Sequence, residues 1–180
     1  MLRYESHKEM PGNHGRPLLM VDVDGVISLY GFDLDIRPAG RFQNVEGIQH
    51  YLSATAGEHL RALAQRFELV WCTGWEDRAN AYLPHALSLP APLPFLTFDG
   101  LPGVTPRHWK LDAIERHAGL HRPLAWIDDD HDGCADWAAG RPGPTLLVTT
   151  DPAVGITAAH VEELMLWARH ISITAAAPGA

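Results

Sequence analysis

The sequence predicts an α/β fold, a parallel sheet covered by helices. Strand-length apolar runs alternate with stretches of helical period, the pattern of strands joined by helical crossovers. The first run, Leu18, Leu19, Met20, Val21, ends abruptly in two acids one residue apart, Asp22 and Asp24. With 46% hydrophobic residues among 180, the chain has enough apolar material for one domain with a core of its own.

The first strand is expected over residues 18–23. Residues 26–53 read as hairpins, because Ile27 to Gly31 and Ile48 to Leu52 alternate, with glycine and proline between them. A capping box, Thr55 with Glu58, opens a helix that places Leu60, Leu63, Ala64 and Phe67 on one face. The second strand covers 68–72. A short helix from Glu76 is expected to stop near Pro84. Residues 95–98 predict a third strand. Thr105 and Pro106 make an N-cap and first-turn pair for a helix with Leu111, Ile114 and Ala118 inward, ended by Gly119. Strands four and five fall at 124–127 and 145–148. Thr157 caps a last helix whose stripe is Val161, Leu164, Ala168 and Ile171, with Ile156 and Val161 as a hydrophobic staple. Residues 1–16 read as a flexible leader, 17–173 as a single domain and 174–180 as a flexible tail.

A formal charge of −8 argues against a partner held by bulk positive potential, so a nucleic-acid end as substrate has no support from net charge. No apolar run reaches the roughly 18–20 residues that span a bilayer, and the polar start lacks a secretory segment. Two cysteines, Cys72 and Cys134, make no disulfide framework; a reducing cytoplasm is the expected compartment. The eleven histidines show no spacing of a zinc site. Arginine outnumbers lysine twelve to two, and Lys110 is the lysine outside the leader, so a compact ammonium there looks chosen.

The residues just past the strand ends have complementary chemistry. Strand one supplies Asp22 and Asp24, strand two Thr73 and Gly74, and strand four Asp128, Asp129 and Asp130. Lys110 lies near the start of the helix leading to strand four. In a parallel sheet these ends share one edge, where open α/β sheets bind ligands. Two carboxylates about 5 Å apart repel by roughly 3 kcal/mol at an effective dielectric of 20. A divalent cation removes that cost, and an all-oxygen donor set suits Mg²⁺. Thr73, Lys110 and the backbone N–H groups after Gly74 add donors for a phosphoryl group.

This ordered set resembles the haloacid dehalogenase superfamily of phosphohydrolases. Asp22, Val23, Asp24, Gly25 and Val26 match its first motif, Thr73 its second, Lys110 its third, and Asp128 with Asp129 its acidic fourth. The resemblance implies a doubly wound, Rossmann-like parallel sheet with helices on both faces and a β-hairpin flap after strand one. It implies Asp22 as the nucleophile that forms an aspartyl-phosphate and Asp24 as the acid and base. Thr73, Gly74 and Lys110 would bind phosphate. Asp22, the Asp24 carbonyl and the fourth motif would bind Mg²⁺. Asp129 fits the double-acid form best and Asp128 second; Asp132, four residues after Asp128, gives a spaced-pair form. The segments where the family inserts caps are too short here for a cap domain. An open site favours a bulky phosphorylated substrate, a protein or a nucleic-acid end, or closure by a partner subunit.

Two other classes share parts of this set. A phosphate-accepting receiver domain also joins acids, Thr and Lys, but places Thr and Lys after its acceptor Asp on later strands. A non-catalytic module of the same fold would be expected to lack Asp22, Asp24 or Lys110, all present here. Transfer to an acceptor other than water stays open beside hydrolysis. Trp75 and Trp109 flank the phosphate residues and read as packing or as stacking partners for a substrate ring. Trp71, Trp126, Trp137, Trp167 and Cys72 read as core.

Overall fold

The computed structural model describes residues 15–99 and 107–176. Four parallel strands form the main sheet: β1 (Leu18–Val21), β5 (Glu68–Trp71), β6 (Leu124–Asp128) and β7 (Thr145–Thr149), in the order β5-β1-β6-β7. β1 lies between β5 and β6, so the chain leaves it in opposite directions along the sheet. The carboxyl end of β1 is therefore a topological switch point, where such sheets open a crevice.

Alternation along β1 explains the two faces. Leu19 and Val21 point into a core closed by α1 (Ala56–Leu63), α2 (Arg78–Ala86) and α5 (Ala158–Ala176), through Leu60, Leu63, Ala79, Leu83, Leu164 and Ala168. Leu18 and Met20 point the other way, against Leu111, Ile114 and Ala118 of α3 (Leu111–Ala118). Cys134 and Trp137, at α4 (Ala135–Gly140), complete that face. Strands buried on both faces read as continuous apolar runs, which is why they stood out in the sequence.

Between β1 and α1 the chain builds a separate antiparallel sheet from β2 (Ser28–Leu29), β3 (Gly40–Val45) and β4 (Ile48–Ser53), in the order β2-β4-β3. This is the expected hairpin flap. Glu46 and Gly47 both take positive φ, 52° and 89°, in the two-residue turn joining β3 to β4.

Several expectations change. The third strand at 95–98 reduces to a single bridge between Phe95 and Trp71. Pro90, Pro92 and Pro94 have no N–H to donate, and pairing is limited to Trp71 N–H on the Pro94 carbonyl and Leu96 N–H on the Trp71 carbonyl. α2 does end near Pro84, two residues past it at Ala86; near a helix end proline costs only one backbone bond. That helix starts at Arg78, after a turn, rather than at Glu76. Thr55 precedes α1 with helical φ −100° and ψ −15° and makes no side-chain cap bond, so the capping box is not formed. α3 opens at Leu111, with Lys110 as its N-cap residue. The expected start at Thr105 and Pro106 lies outside the described residues, as do residues 1–14 of the expected leader and 177–180 of the expected tail.

Candidate active site

Asp22 is placed by the sheet itself. Its N–H donates to the Ile127 carbonyl (3.0 Å), extending the β1–β6 pairing one residue past β1. The chain then turns, with the Val23 carbonyl accepting N–H bonds from Ile27 and Ser28 (both 2.8 Å). Gly25 is required in that turn twice over. Its φ is +74°, and a Cβ there would stand 2.4 Å from Asp129 Cγ. Thr150, past the end of β7, donates its hydroxyl to the Gly25 carbonyl (2.9 Å) and fixes the turn against the sheet.

Lys110 reaches the same point from the N-terminus of α3. Its Nζ stands 3.1 Å from Asp22 Oδ2 and 2.6 Å from Asp128 Oδ2, and all three residues are buried. Asp128 is further held by the Trp126 indole N–H on Oδ2 (2.8 Å) and the Asp130 N–H on Oδ1 (3.1 Å). Burial pushes the Asp22 carboxyl up to about 7, against the pull of Lys110. Burial acts to lower the Lys110 pKa, but Asp22 and Asp128 outweigh it and the amine is held above its ordinary value.

One oxygen from each of Asp22, Asp128 and Asp129 lies within 4.8 Å of the other two. Three carboxylates crowd around one amine, Lys110, and burial works against the ionisation of Asp22; a divalent cation would offset that cost. The donors are all oxygen, with no thiolate or imidazole in the group, and fit Mg²⁺. Asp24 adds no side-chain oxygen to that group. Asp132 is exposed and outside it, its N–H donating to Asp130 Oδ1 (2.9 Å), so the spaced-pair form is not the one assembled.

Thr73 is buried, and its hydroxyl accepts the Trp75 N–H (3.3 Å) within the turn that leads to α2. Gly74 lies beside Trp109, whose ring would make an ordinary 3.6 Å contact with a Cβ there. Glu76 holds a positive φ of 49°, and its carboxylate accepts the Phe98 N–H (2.9 Å). These groups line one cavity of about 580 Å³, with Asp22, Asp24, Thr73, Gly74, Lys110, Asp128 and Asp129 at its base and Tyr30, Phe98, His108 and Trp109 on its walls. All the residues expected at the site therefore meet there, apart from Asp132.

Three contributors were not legible as site residues. Tyr30, read only as a hairpin residue, donates its hydroxyl to Asp129 Oδ2 and is pushed up to about 12 by that bond. Trp126, read as core, is core by its ring but also binds Asp128. His50 of β4 stands 3.6 Å from Asp24 Oδ1. No local pattern marks these residues; only the juxtaposition of the flap with the sheet edge does.

No curated protein matches the chain. Among solved structures, the chain is similar to 3-deoxy-D-manno-octulosonate 8-phosphate phosphatase from Moraxella catarrhalis, solved with magnesium, phosphate and KDO, at 18% identity and a TM-score of 0.47 over 91% of this chain and 92% of that one. A family model described as the HAD domain in Swiss Army Knife RNA repair proteins matches residues 18–161, and the chain belongs to this haloacid dehalogenase family.

Proposed function

We propose that this chain is a Mg²⁺-dependent phosphohydrolase that works through an aspartyl-phosphate on Asp22 and removes phosphate from a nucleic-acid end. The observation that carries the reading is the buried Asp22–Lys110–Asp128 arrangement at the β1 switch point. A carboxylate just past a buried strand, aligned by an ammonium, is suited to attack phosphorus.

In this reading the Asp22 carboxylate forms a bond to phosphorus as the ester bond breaks. Asp24 gives its proton to the departing oxygen and later takes one from the attacking water. Lys110, the Thr73 hydroxyl and the N–H groups after Gly74 hold the phosphoryl oxygens. Asp22, Asp128 and Asp129, with the Asp24 carbonyl, would hold Mg²⁺, which supplies neutralisation of charge on the phosphoryl group. Transfer to an acceptor other than water would use the same groups.

Two observations support a nucleic-acid end as substrate. The family description refers to RNA repair proteins. The cavity is open, with Phe98, Trp109 and the half-exposed Tyr30 at its walls, rings on which a base can stack. Among the described residues, the flap region adds only β2–β4 and one 3-10 turn, so no inserted domain covers the cavity.

The test is release of inorganic phosphate from nitrophenyl phosphate and from end-phosphorylated oligoribonucleotides. Expected are turnover with Mg²⁺, loss with EDTA and loss in Asp22→Asn. Full activity in Asp22→Asn would remove Asp22 as nucleophile. Turnover of small phosphorylated metabolites or phosphopeptides in preference to oligonucleotides would overturn the substrate assignment.

A further inference from the structure

Asp24 differs from Asp22 and Asp128 in being loosely surrounded. Its side chain is 49% exposed, whereas Asp22 and Asp128 are buried. A half-exposed carboxylate is free to rotate and to be solvated, which is poor placement for a group that must meet a departing oxygen. One firm contact restrains it. The Trp75 indole N–H donates to Asp24 Oδ2 at 2.9 Å.

Trp75 is itself well fixed. Its ring is buried, packed in the core cluster below the flap, and its backbone N–H is held by the Thr73 hydroxyl. The His50 ring meets it edge to face at 4.5 Å. His50 Nδ1 is anchored by the Ser28 hydroxyl at 2.9 Å and lies 3.6 Å from Asp24 Oδ1. Trp71, Trp126 and Trp137 find their acceptors in Asn80, Asp128 and Glu115. Trp75 directs its indole N–H to a carboxylate of the proposed reaction.

We propose that Trp75 is the positioning residue for proton transfer by Asp24, its indole N–H tying down Oδ2 so that Oδ1 is the oxygen that gives and takes the proton. The inference rests on the phosphohydrolase reading above. In the first half-reaction Asp22 Oδ bonds to phosphorus, the bond from phosphorus to the ester oxygen breaks, and the proton on Asp24 Oδ1 moves to that oxygen, leaving Asp24 ionised. In the second, water attacks phosphorus, its proton returns to Asp24 Oδ1, and the bond to Asp22 breaks. His50 braces the Trp75 ring from the flap.

A merely structural indole and a positioning one differ in leaving-group dependence. Nitrophenolate departs with little need of a proton, whereas phenolate needs one. In Trp75→Phe, kcat on phenyl phosphate should fall about ten- to a hundredfold further than kcat on nitrophenyl phosphate, the range expected for a hydrogen bond to a charged group. In an Asp24→Asn background the same substitution should produce no such difference between the substrates. Equal losses on both substrates, or a difference that persists in the Asp24→Asn background, would overturn the proposal. Absence of turnover in the unmutated protein would instead overturn the phosphohydrolase reading.

Should Trp75→Phe not fold, the indole N–H signals of the six tryptophans provide a second measurement. In Asp24→Ala, the Trp75 indole N–H should move upfield and exchange faster with water. An indole signal unaffected by loss of the carboxylate would overturn the contact itself.

Discussion

Lys110 Nζ stands 3.1 Å from Asp22 Oδ2, closing an ion pair in which both side chains are buried. The pair joins the start of α3 to the end of β1, two points distant in sequence, and Asp128 accepts from the same amine at 2.6 Å.

Removing that amine leaves two buried carboxylates facing each other. Lys110→Met is expected to abolish phosphate release and to lower stability by about 3–5 kcal/mol, the usual cost of stranding a buried charge. Added Mg²⁺ should recover part of the loss. Thermal melts with and without the ion check this. An unchanged melting temperature would show that the amine does not compensate these acids.

Gly25→Ala places a methyl 2.4 Å from Asp129 Cγ and forces alanine into left-handed backbone. A stability loss of about 1–3 kcal/mol is expected from the backbone alone. Displacing Asp129 should also weaken Mg²⁺ binding, measured by calorimetry. Native affinity in this variant would separate Asp129 from the ion.

Trp109→Ala removes a wall of the cavity and the partner of Phe98, whose ring centroid lies 4.6 Å away. If bases stack there, KM for an end-phosphorylated oligoribonucleotide should rise about tenfold more than KM for phenyl phosphate, since stacking on an aromatic ring contributes about 1–3 kcal/mol per base. A proportional rise on both substrates would assign the ring to packing.

His160 gives the fold a pH dependence away from the site. Its Nδ1 accepts the Thr157 N–H (3.1 Å) at the start of α5, a task that an imidazolium cannot perform. Burial lowers its pKa and His59 adds to this, against the opposing pull of Glu163. A lowered folded value means that the unfolded chain takes up the proton first. The contribution is thus complete above the ordinary value of about 6.5 and is lost as pH falls towards the lowered folded value. His160→Gln keeps a side-chain acceptor at the third helical position and should flatten the acid limb of a plot of melting temperature against pH. An identical acid limb in the variant would remove His160 as its source.

The main sheet is legible because β1 and β6 are buried throughout and run into acids, while β5 and β7 are apolar runs of strand length. Asp22, Asp24, Thr73, Asp128 and Asp129 are legible as polar ends of apolar runs, and Lys110 as the lysine outside the leader, near a helix start. Residues 95–98 predict a strand where only a bridge forms, because their apolar content hides the lack of donors in the prolines before them. β3 falls within the expected hairpins, but its bounds are not legible, because Arg41 and Phe42 are exposed and no core imposes alternation on them. Tyr30, His50 and the indole of Trp126 act on the site through contacts between elements that no local spacing encodes.

Tyr30, just past β2 of the antiparallel sheet, donates its phenol to the carboxylate of Asp129, just past β6 of the parallel one. Because Asp129 is shared in this way, docking of the flap and filling of the acidic notch are thermodynamically linked. Each must bias the other by the same free energy. Amide exchange along β2 and β4 would therefore register whether the acidic notch is filled.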